Sequence, residues 1–267
     1  MQPDNINTAS EVIELTEGMA LKKYHTPLPK LILLGIMAGV YIALGGYLSL
    51  FMGYGMPEVT AVAPAIGKFL AGAFFPIGLI LIILVGGELF TGNTAYLVPA
   101  ARRGLIPWRY LPYNWVIVYF ANLLGALLFC YLFLHLTGMV ASDPWRSALI
   151  QMAEGKVSMP WHVVFLKGIG ANFMVCIAVW LGLSSKSMLG RMAGIWLPVM
   201  AFVTIGYEHS IANMFYLPMA MMSGADIGVW QSVQANFIPS TLGNIVGGAL
   251  CVGAIYSYLY SKKRGEA

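Results

Sequence analysis

Six apolar stretches, each long enough to cross a lipid bilayer, constrain this chain more than any other feature. A transmembrane helix needs about 20 mainly apolar residues. The stretches lie near residues 29–53, 66–100, 110–137, 161–185, 191–222 and 229–260. The sequence is 59% hydrophobic and 10% charged, whereas about one quarter of the residues in a soluble domain are charged. The pattern predicts a single-domain, all-α integral membrane protein with six transmembrane helices.

The second and fifth stretches are too long for one uninterrupted helix. Small and polar residues lie inside both: GGELFTGN at 86–93 in the second and GYEHSIAN at 206–213 in the fifth. Irregular backbone at membrane depth is tolerated only where it is buried in protein or lines a cavity. We therefore expect spans 2 and 5 to be interrupted at these two places.

The two halves of the chain share a pattern of residues. Glu88 and Asn93 at the first break recur with the same spacing as Glu208 and Asn213 at the second. The pattern Asn-x7-Asn-x2-Gly then follows at 114–125 and again at 236–247. Because each half holds three spans, an odd number, the sequence predicts two inverted three-helix repeats and a solute path near the midplane. The alternative is that the glycines at the breaks only allow close helix packing.

The basic residues predict the orientation, because cytoplasmic loops carry an excess of Lys and Arg. With the N-terminus inside, the inner segments hold eleven of the fifteen basic residues. These are Lys22, Lys23, Lys30, Arg102, Arg103, Arg109, Lys186, Arg191, Lys262, Lys263 and Arg264. Both termini are therefore predicted to be cytoplasmic. The modest net charge of +4 follows from this topology and indicates no nucleic-acid partner.

The polar residues 1–28 precede the first span and lack the features of a signal peptide. Thr8 and Glu11 match a capping box, and Val12, Leu15 and Met19 follow at helical spacing. The pattern favours a cytoplasmic amphipathic helix on the membrane surface, and a frayed tail is the alternative. The transmembrane domain then covers 29–261, and a cytoplasmic tail covers 262–267.

Four ionisable residues are predicted to lie deep in the membrane, where charge is costly and usually functional: Glu88, Lys167, Glu208 and His209. Glu88 and Glu208 are expected to brace the breaks by accepting hydrogen bonds from backbone N–H groups that interrupted helices leave free. His209 has Leu89 as its counterpart in the first half, which disfavours a purely structural role. Its imidazole can donate to an anion or exchange a proton near neutral pH. Lys167 in span 4 either raises the local anion concentration or extends outward to water.

Further candidates lie in the outer loop and beside the breaks in sequence. Lys156, in the outer loop, either adds to the attraction of anions or is simply solvated. The hydroxyl of Thr91 can donate to or accept from a passing solute. Four apolar residues either form collars above and below a small wet chamber or only pack against lipid and protein. They are Phe75, Leu79, Leu89 and Phe202.

Neither metal chemistry nor catalysis is indicated. Cys130, Cys176 and Cys251 lie inside apolar runs without metal or disulfide spacing, so they are expected to be packing residues, and no cofactor is expected. Glu208 and His209 are adjacent, and adjacent residues on a helix project about 100° apart. An enzyme that uses the two as an acid/base pair is therefore disfavoured.

The motifs at the two breaks, ELFTGN and GYEHSIANM, resemble the signatures of the formate/nitrite transporter family. Three further segments are similar to other hallmarks of that family: FLKGIGANFMVCIAVWL at 165–181, NWVIVYFANLLGALL and IPSTLGNIVGGAL. The likeness covers about residues 20–262. It implies an aquaporin-like fold with one pore in each protomer, a homopentamer, and a multi-pass location in a prokaryotic inner membrane.

The resemblance also implies the substrate and its path. Members pass small monovalent anions: formate, nitrite, hydrosulfide and sometimes acetate or lactate. They use a central histidine, here His209, with a threonine in the first break, here Thr91, and Asn172 lies near that histidine. Two apolar constrictions correspond to Phe75, Leu79, Leu89 and Phe202.

Formate that crosses as the neutral acid is the favoured substrate, and a nitrite or hydrosulfide channel is the alternative. Lys167 and Lys156 would draw the anion in. A proton would then come from water or by way of His209, because leaving water raises the proton affinity of an anion. His209, Thr91 and Asn172 would replace the lost hydrogen bonds.

Overall fold

The computed structural model describes residues 6–261, and within that range every regular element is helical. The predicted tail at 262–267 lies outside the described residues. The helices are α1 Ala9–Tyr24, α2 Leu28–Tyr54, α3 Pro57–Val62, α4 Pro64–Phe74, α5 Ile77–Leu81, α6 Phe90–Arg102, α7 Tyr110–Leu128, α8 Trp145–Ser158, α9 Trp161–Ser184, α10 Met188–Thr204, α11 Ser210–Met222, α12 Val229–Ser232, α13 Ile238–Ile245 and α14 Ile255–Tyr260. Four π-helical stretches extend these helices without a break. They are Ile82–Gly86, Phe129–His135, Val233–Phe237 and Val246–Ala254.

Five helical segments of the described chain are long and apolar enough to cross a membrane. They are Leu28–Tyr54, Pro64–Gly86, Tyr110–His135, Trp161–Ser184 and Val229–Tyr260. The fifth apolar stretch of the sequence is the exception, because its helix ends at Thr204 and leaves the shorter apolar α10. The short α11 follows after the break.

Glycine ends the first helix at both breaks. Gly86 has φ +117° and Gly206 has φ +78°, a conformation that costs glycine little and other residues more. The chain is non-helical from Gly87 to Leu89 and again from Ile205 to His209. Each break is followed by a 13-residue helix, α6 or α11, almost all of whose residues are buried. These two short helices form the centre of the molecule.

Close helix packing flanks both breaks. A Cβ atom on Gly125 of α7 would overlap the carbonyl of Ile36 on α2. A Cβ atom on Gly247, beyond α13, would overlap the carbonyl of Ile169 on α9. In both halves, glycine therefore lets the last long helix of that half approach the backbone of the helix that opens it.

Helix α1 packs against the protein. Its capping box is present: the Thr8 hydroxyl accepts from the Glu11 backbone N–H, and the Glu11 carboxylate accepts from the Thr8 backbone N–H. The buried side chains of α1 face α6 and α9. They are Val12, Ile13, Thr16, Glu17, Ala20 and Lys23. Of the three apolar residues that predicted this helix, Val12 is buried and Leu15 is 42% exposed. Where α1 lies relative to a membrane stays a prediction.

Candidate functional site

The first break is organised around the buried carboxylate of Glu88. The ammonium group of Lys23, on α1, lies 2.7 Å from each of its oxygens. The side-chain amide of Asn93 donates to Glu88 Oε2 at 2.8 Å and to Asn114 Oδ1 at 2.9 Å. The Lys23 ammonium also lies 5.4 Å from the ring centroid of Tyr96, within reach of a cation–π interaction.

The second break repeats this arrangement around Glu208. Lys156, on α8, donates to its two oxygens at 2.8 and 3.0 Å. The amides of Asn213 and Asn236 donate to Glu208 Oε2 at 2.8 and 3.1 Å. The Lys156 ammonium lies 5.5 Å from the ring centroid of Tyr216. Lys156, predicted to attract anions or to be solvated, is therefore the counter-ion of Glu208.

Lys23 is a site residue that the sequence patterns did not reveal, although a signal for it exists. Lys23 precedes Gly35 by the same separation by which Lys156 precedes Gly168. Extending the repeat upstream of the first span would therefore have matched α1 to α8, and Lys23 to Lys156.

Two asparagines, not the two glutamates, brace the broken backbone. Asn122 donates to the carbonyls of Gly35 and Glu88, both at 2.8 Å, and accepts from the backbone N–H of Phe90 at 3.0 Å. The sequence interpretation assigned this bracing to the carboxylates, and that was wrong. The reason is that a buried carboxylate is stabilised most by a full counter-charge, which Lys23 supplies to Glu88.

Asn244 repeats the brace in the second half. It donates to the carbonyls of Gly168 at 2.8 Å and Glu208 at 3.0 Å. It accepts from the backbone N–H of Ser210 at 2.8 Å. Each break is thus tied to the helix that opens its own half.

The symmetry ends at the first turns of α6 and α11, where Thr91 and His209 meet. His209 Nε2 lies 3.0 Å from Thr91 Oγ1. His209 is also the N-cap of α11, because its Nδ1 accepts the backbone N–H of Ala212 at 3.0 Å. A backbone N–H can only donate, so Nδ1 of the neutral ring carries the lone pair and Nε2 carries the hydrogen. Nε2 then donates to Thr91, which can donate its own hydroxyl hydrogen onward.

The four predicted collar residues are all buried, at 2–3% exposure. Phe75 and Phe202 meet edge to face with ring centroids 5.9 Å apart, and Phe202 stacks on His209, also at 5.9 Å. Leu89 is the N-cap residue of α6, two positions before Thr91. Leu79 lies in the same apolar cluster.

Asn172, predicted to lie near His209, contacts residues of the first break, and its amide is fully engaged. Its Nδ2 donates toward the carbonyl of Asn244 at 2.6 Å, the hydroxyl of Thr94 at 2.9 Å and the carbonyl of Thr91 at 3.2 Å. This side chain therefore connects the two halves and has no free donor to offer a solute.

An open cavity of about 280 Å³ reaches His209 from one side of the molecule. Phe75 and Phe202 line it, and so do Lys156 and Lys68. Lys167 is not among the described residues that line it. Its backbone carbonyl accepts the Glu208 N–H at 3.3 Å, and its ammonium lies 3.6 Å from the sulfur of Met159.

The described residues contain no group of three or more His, Cys, Asp or Glu side chains that could hold a metal ion. The three cysteines carry free thiols.

Comparison with known proteins assigns the family. The sequence profile of the formate/nitrite transporter family matches residues 10–258. The chain belongs to the formate/nitrite transporter family. It is thus a membrane transporter in which the Thr91–His209 contact and the two lysine–glutamate pairs lie at the helix breaks.

Three known proteins illustrate the relationship. The uncharacterized transporter YrhG of Bacillus subtilis is 39% identical over 95% of this chain and 93% of its own length. The probable formate transporter of Methanothermobacter thermautotrophicus is 38% identical over 97% of this chain and 99% of its own length. A solved structure, a pentameric formate channel with formate bound, superposes with a TM-score of 0.77 at 32% identity, covering 87% of this chain and 97% of that one.

Proposed function

We propose that this protein conducts small monovalent anions, formate first among them, across the cell membrane, and that the solute passes as the neutral acid. The observation that carries the proposal is the contact between Thr91 and His209, the polar pair beside the buried rings of Phe75 and Phe202. The formate-bound channel and the probable formate transporter among its relatives support formate as the substrate.

The apolar rings favour a neutral solute. Moving an ion into a low-dielectric region costs several kcal/mol even after relaxation, and each 1.4 kcal/mol slows passage about tenfold. Formic acid avoids most of this cost and keeps one hydroxyl donor and one carbonyl acceptor. The Thr91 hydroxyl matches both, because it can donate to the carbonyl and accept from the hydroxyl.

The hydrogen bonds of His209 favour a fixed neutral donor over a proton carrier. A proton added to Nδ1 would point at the backbone N–H of Ala212 and remove the N-cap of α11. The proton that neutralises the anion would then come from water in the open cavity, before the anion reaches Phe75 and Phe202.

The same proposal includes the assembly. The matched contacts at the two breaks support two inverted three-helix repeats in an aquaporin-like arrangement, with six spans and both termini in the cytoplasm. The pentameric neighbour supports a homopentamer with one path in each protomer.

Uptake into proteoliposomes tests the proposal. Initial rates for formate, nitrite and hydrosulfide are compared between pH 5 and 8, with Thr91→Ser, Thr91→Val and His209→Asn variants alongside. We expect formate uptake to rise as the pH falls. Thr91→Ser should keep this uptake, and Thr91→Val should lower it about five- to tenfold, since a hydrogen bond made at the barrier contributes about 1–1.5 kcal/mol.

His209→Asn separates the two histidine roles, because asparagine can cap a helix but cannot carry a proton at these pH values. Residual uptake with the wild-type pH dependence is expected if the ring is a neutral donor. Complete loss of uptake in His209→Asn, with a normally folded protein, would assign proton transfer to the imidazole. A preference for nitrite or hydrosulfide over formate would overturn formate as the substrate.

A further inference from the structure

The open cavity that leads to His209 is lined by a lysine, Lys68, that forms no salt bridge with a carboxylate among the described residues. Among the described residues that line it, three side chains are ionised: Lys68, Lys156 and Glu208. Lys156 and Glu208 form a bidentate pair at 2.8 and 3.0 Å, so their charges cancel at short range. The remaining charge in this cavity is that of Lys68.

Lys68 is also placed where an anion would first arrive. It lies on α4 and is exposed, whereas Lys156 is mostly buried and His209 is only 3% exposed. Phe75, which lies seven residues further along the chain, is buried and lines the same cavity together with Phe202. Lys68 is therefore the solvent-exposed charged residue among the described residues that line this cavity.

We infer that Lys68 forms an outer capture site for monovalent anions, and that this residue, not Lys167 or the paired Lys156, concentrates the anion at the channel mouth. The inference rests on the proposed function and adds a specific residue to it. A cation in a narrow cavity with low-dielectric walls raises the local concentration of anions. It also favours the anion over the neutral acid at that point, so protonation occurs further in.

The size of the effect follows from Coulomb's law. One charge about 4 Å from an anion in water changes the occupancy of the anion about fivefold. Salt screens it, because the Debye length is only about 3 Å at 1 M. Loss of Lys68 should therefore raise the formate concentration that gives half-maximal uptake and should leave the maximal rate unchanged, because the barrier at Phe75 and Phe202 is untouched.

The experiment compares Lys68→Gln, Lys68→Glu and Lys68→Arg in proteoliposomes at low salt and at 1 M salt. Lys186→Gln, an exposed lysine that does not line the cavity, controls for net charge. We expect the half-maximal concentration at low salt to rise about fivefold in Lys68→Gln, to rise further in Lys68→Glu and to stay at the wild-type value in Lys68→Arg and Lys186→Gln. At 1 M salt the differences should disappear.

A binding measurement separates this inference from the proposed function. Line broadening of ¹³C-formate by the purified protein reports formate capture whether or not formate crosses. Broadening that Lys68→Gln reduces, in a protein without uptake, would refute the proposed function and leave the capture site standing. Normal uptake with the same salt dependence and the same broadening in Lys68→Gln would overturn the capture site. The capture site would also be overturned if a Lys167→Gln variant lost formate broadening while Lys68→Gln kept it.

Discussion

The ammonium group of Lys23 lies 2.7 Å from both carboxylate oxygens of Glu88, although 65 residues separate them in sequence. Both side chains are less than 10% exposed. Lys156 and Glu208 form the same pair at the other break. A buried ion pair of this kind ties each broken helix to the helix that precedes the opening span of its half.

Glu88→Gln should destabilise the protein by about 3–5 kcal/mol, because it leaves the Lys23 ammonium buried without a counter-charge. Replacing both residues, with Lys23→Met added, should restore much of that loss, since no uncompensated charge remains. Equilibrium unfolding of the purified protein in mixed detergents measures both changes. Equal stability of the single and double variants would mean that the pair is not coupled.

Asn122→Leu should destabilise the first break severely. The change leaves the carbonyls of Gly35 and Glu88 and the N–H of Phe90 without their partner, and each buried unsatisfied group costs about 1–3 kcal/mol. Asn244→Leu removes the matching three bonds and should cost a similar amount. Thermal unfolding in one detergent compares the two, and a large loss for only one of them would contradict equivalent braces.

The sequence was sufficient to place the breaks but not the pairs that hold them. Gly86 and Gly206 lie beside polar residues inside apolar runs. This pattern is local in sequence, and local patterns predict helix ends well. The pairing of Lys23 with Glu88 depends on how α1 packs, and neither the polarity nor the periodicity of residues 1–28 specifies a partner. Only the internal repeat contains that information, once it is extended upstream of each opening span so that Lys23 matches Lys156.

The direction in which side chains point was the second feature that the sequence could not predict. The sequence interpretation placed Asn172 near His209, and only the coordinates reveal that its amide donates toward Asn244, Thr94 and Thr91. For the same reason the sequence favoured Lys167, within span 4, over Lys68. Of these two lysines, Lys68 lines the cavity.

Phe202→Ala should open the proposed apolar constriction to charged solutes. Removing the ring that packs on Phe75 and His209 widens the narrow region and admits water, which lowers the barrier for ions. We expect anion conductance in planar bilayers to rise at least about tenfold, equivalent to 1.4 kcal/mol, and uptake to depend less on low pH. Phe215→Ala, an equally buried ring that does not line the cavity, is the matched control and should lose stability without gaining conductance.

Docking of α1 should strengthen as the pH falls toward the ordinary pKa of a glutamate. Burial raises the pKa of Glu17 above its ordinary value, and the bond to Arg103 offsets this only in part. Glu17 Oε1 is buried without a hydrogen-bond partner. A carboxyl group with a raised pKa favours the docked state most below its undocked pKa, and that advantage is lost as the pH rises through the docked value.

Hydrogen exchange of the α1 amides between pH 5 and 8, corrected for the intrinsic rate, measures this dependence. Glu17→Gln should flatten it, because the amide stays neutral and can still accept from Arg103. Glu154→Gln, an exposed glutamate on the matching helix α8, should leave it unchanged. Protection of α1 that increases with pH in the wild-type protein would reverse the assigned sign.

The place where Thr91 meets His209 has a consequence for how such a channel can be built. At the corresponding positions of the other half stand Ile211 and Leu89. Two separate copies of a single half, assembled as a dimer, would present the same residues twice and could not place one hydroxyl opposite one imidazole. When the halves are joined in one polypeptide, a residue can change in one half without changing in the other. The duplicated contacts can then hold both halves in place, while the centre has a threonine from one half and a histidine from the other.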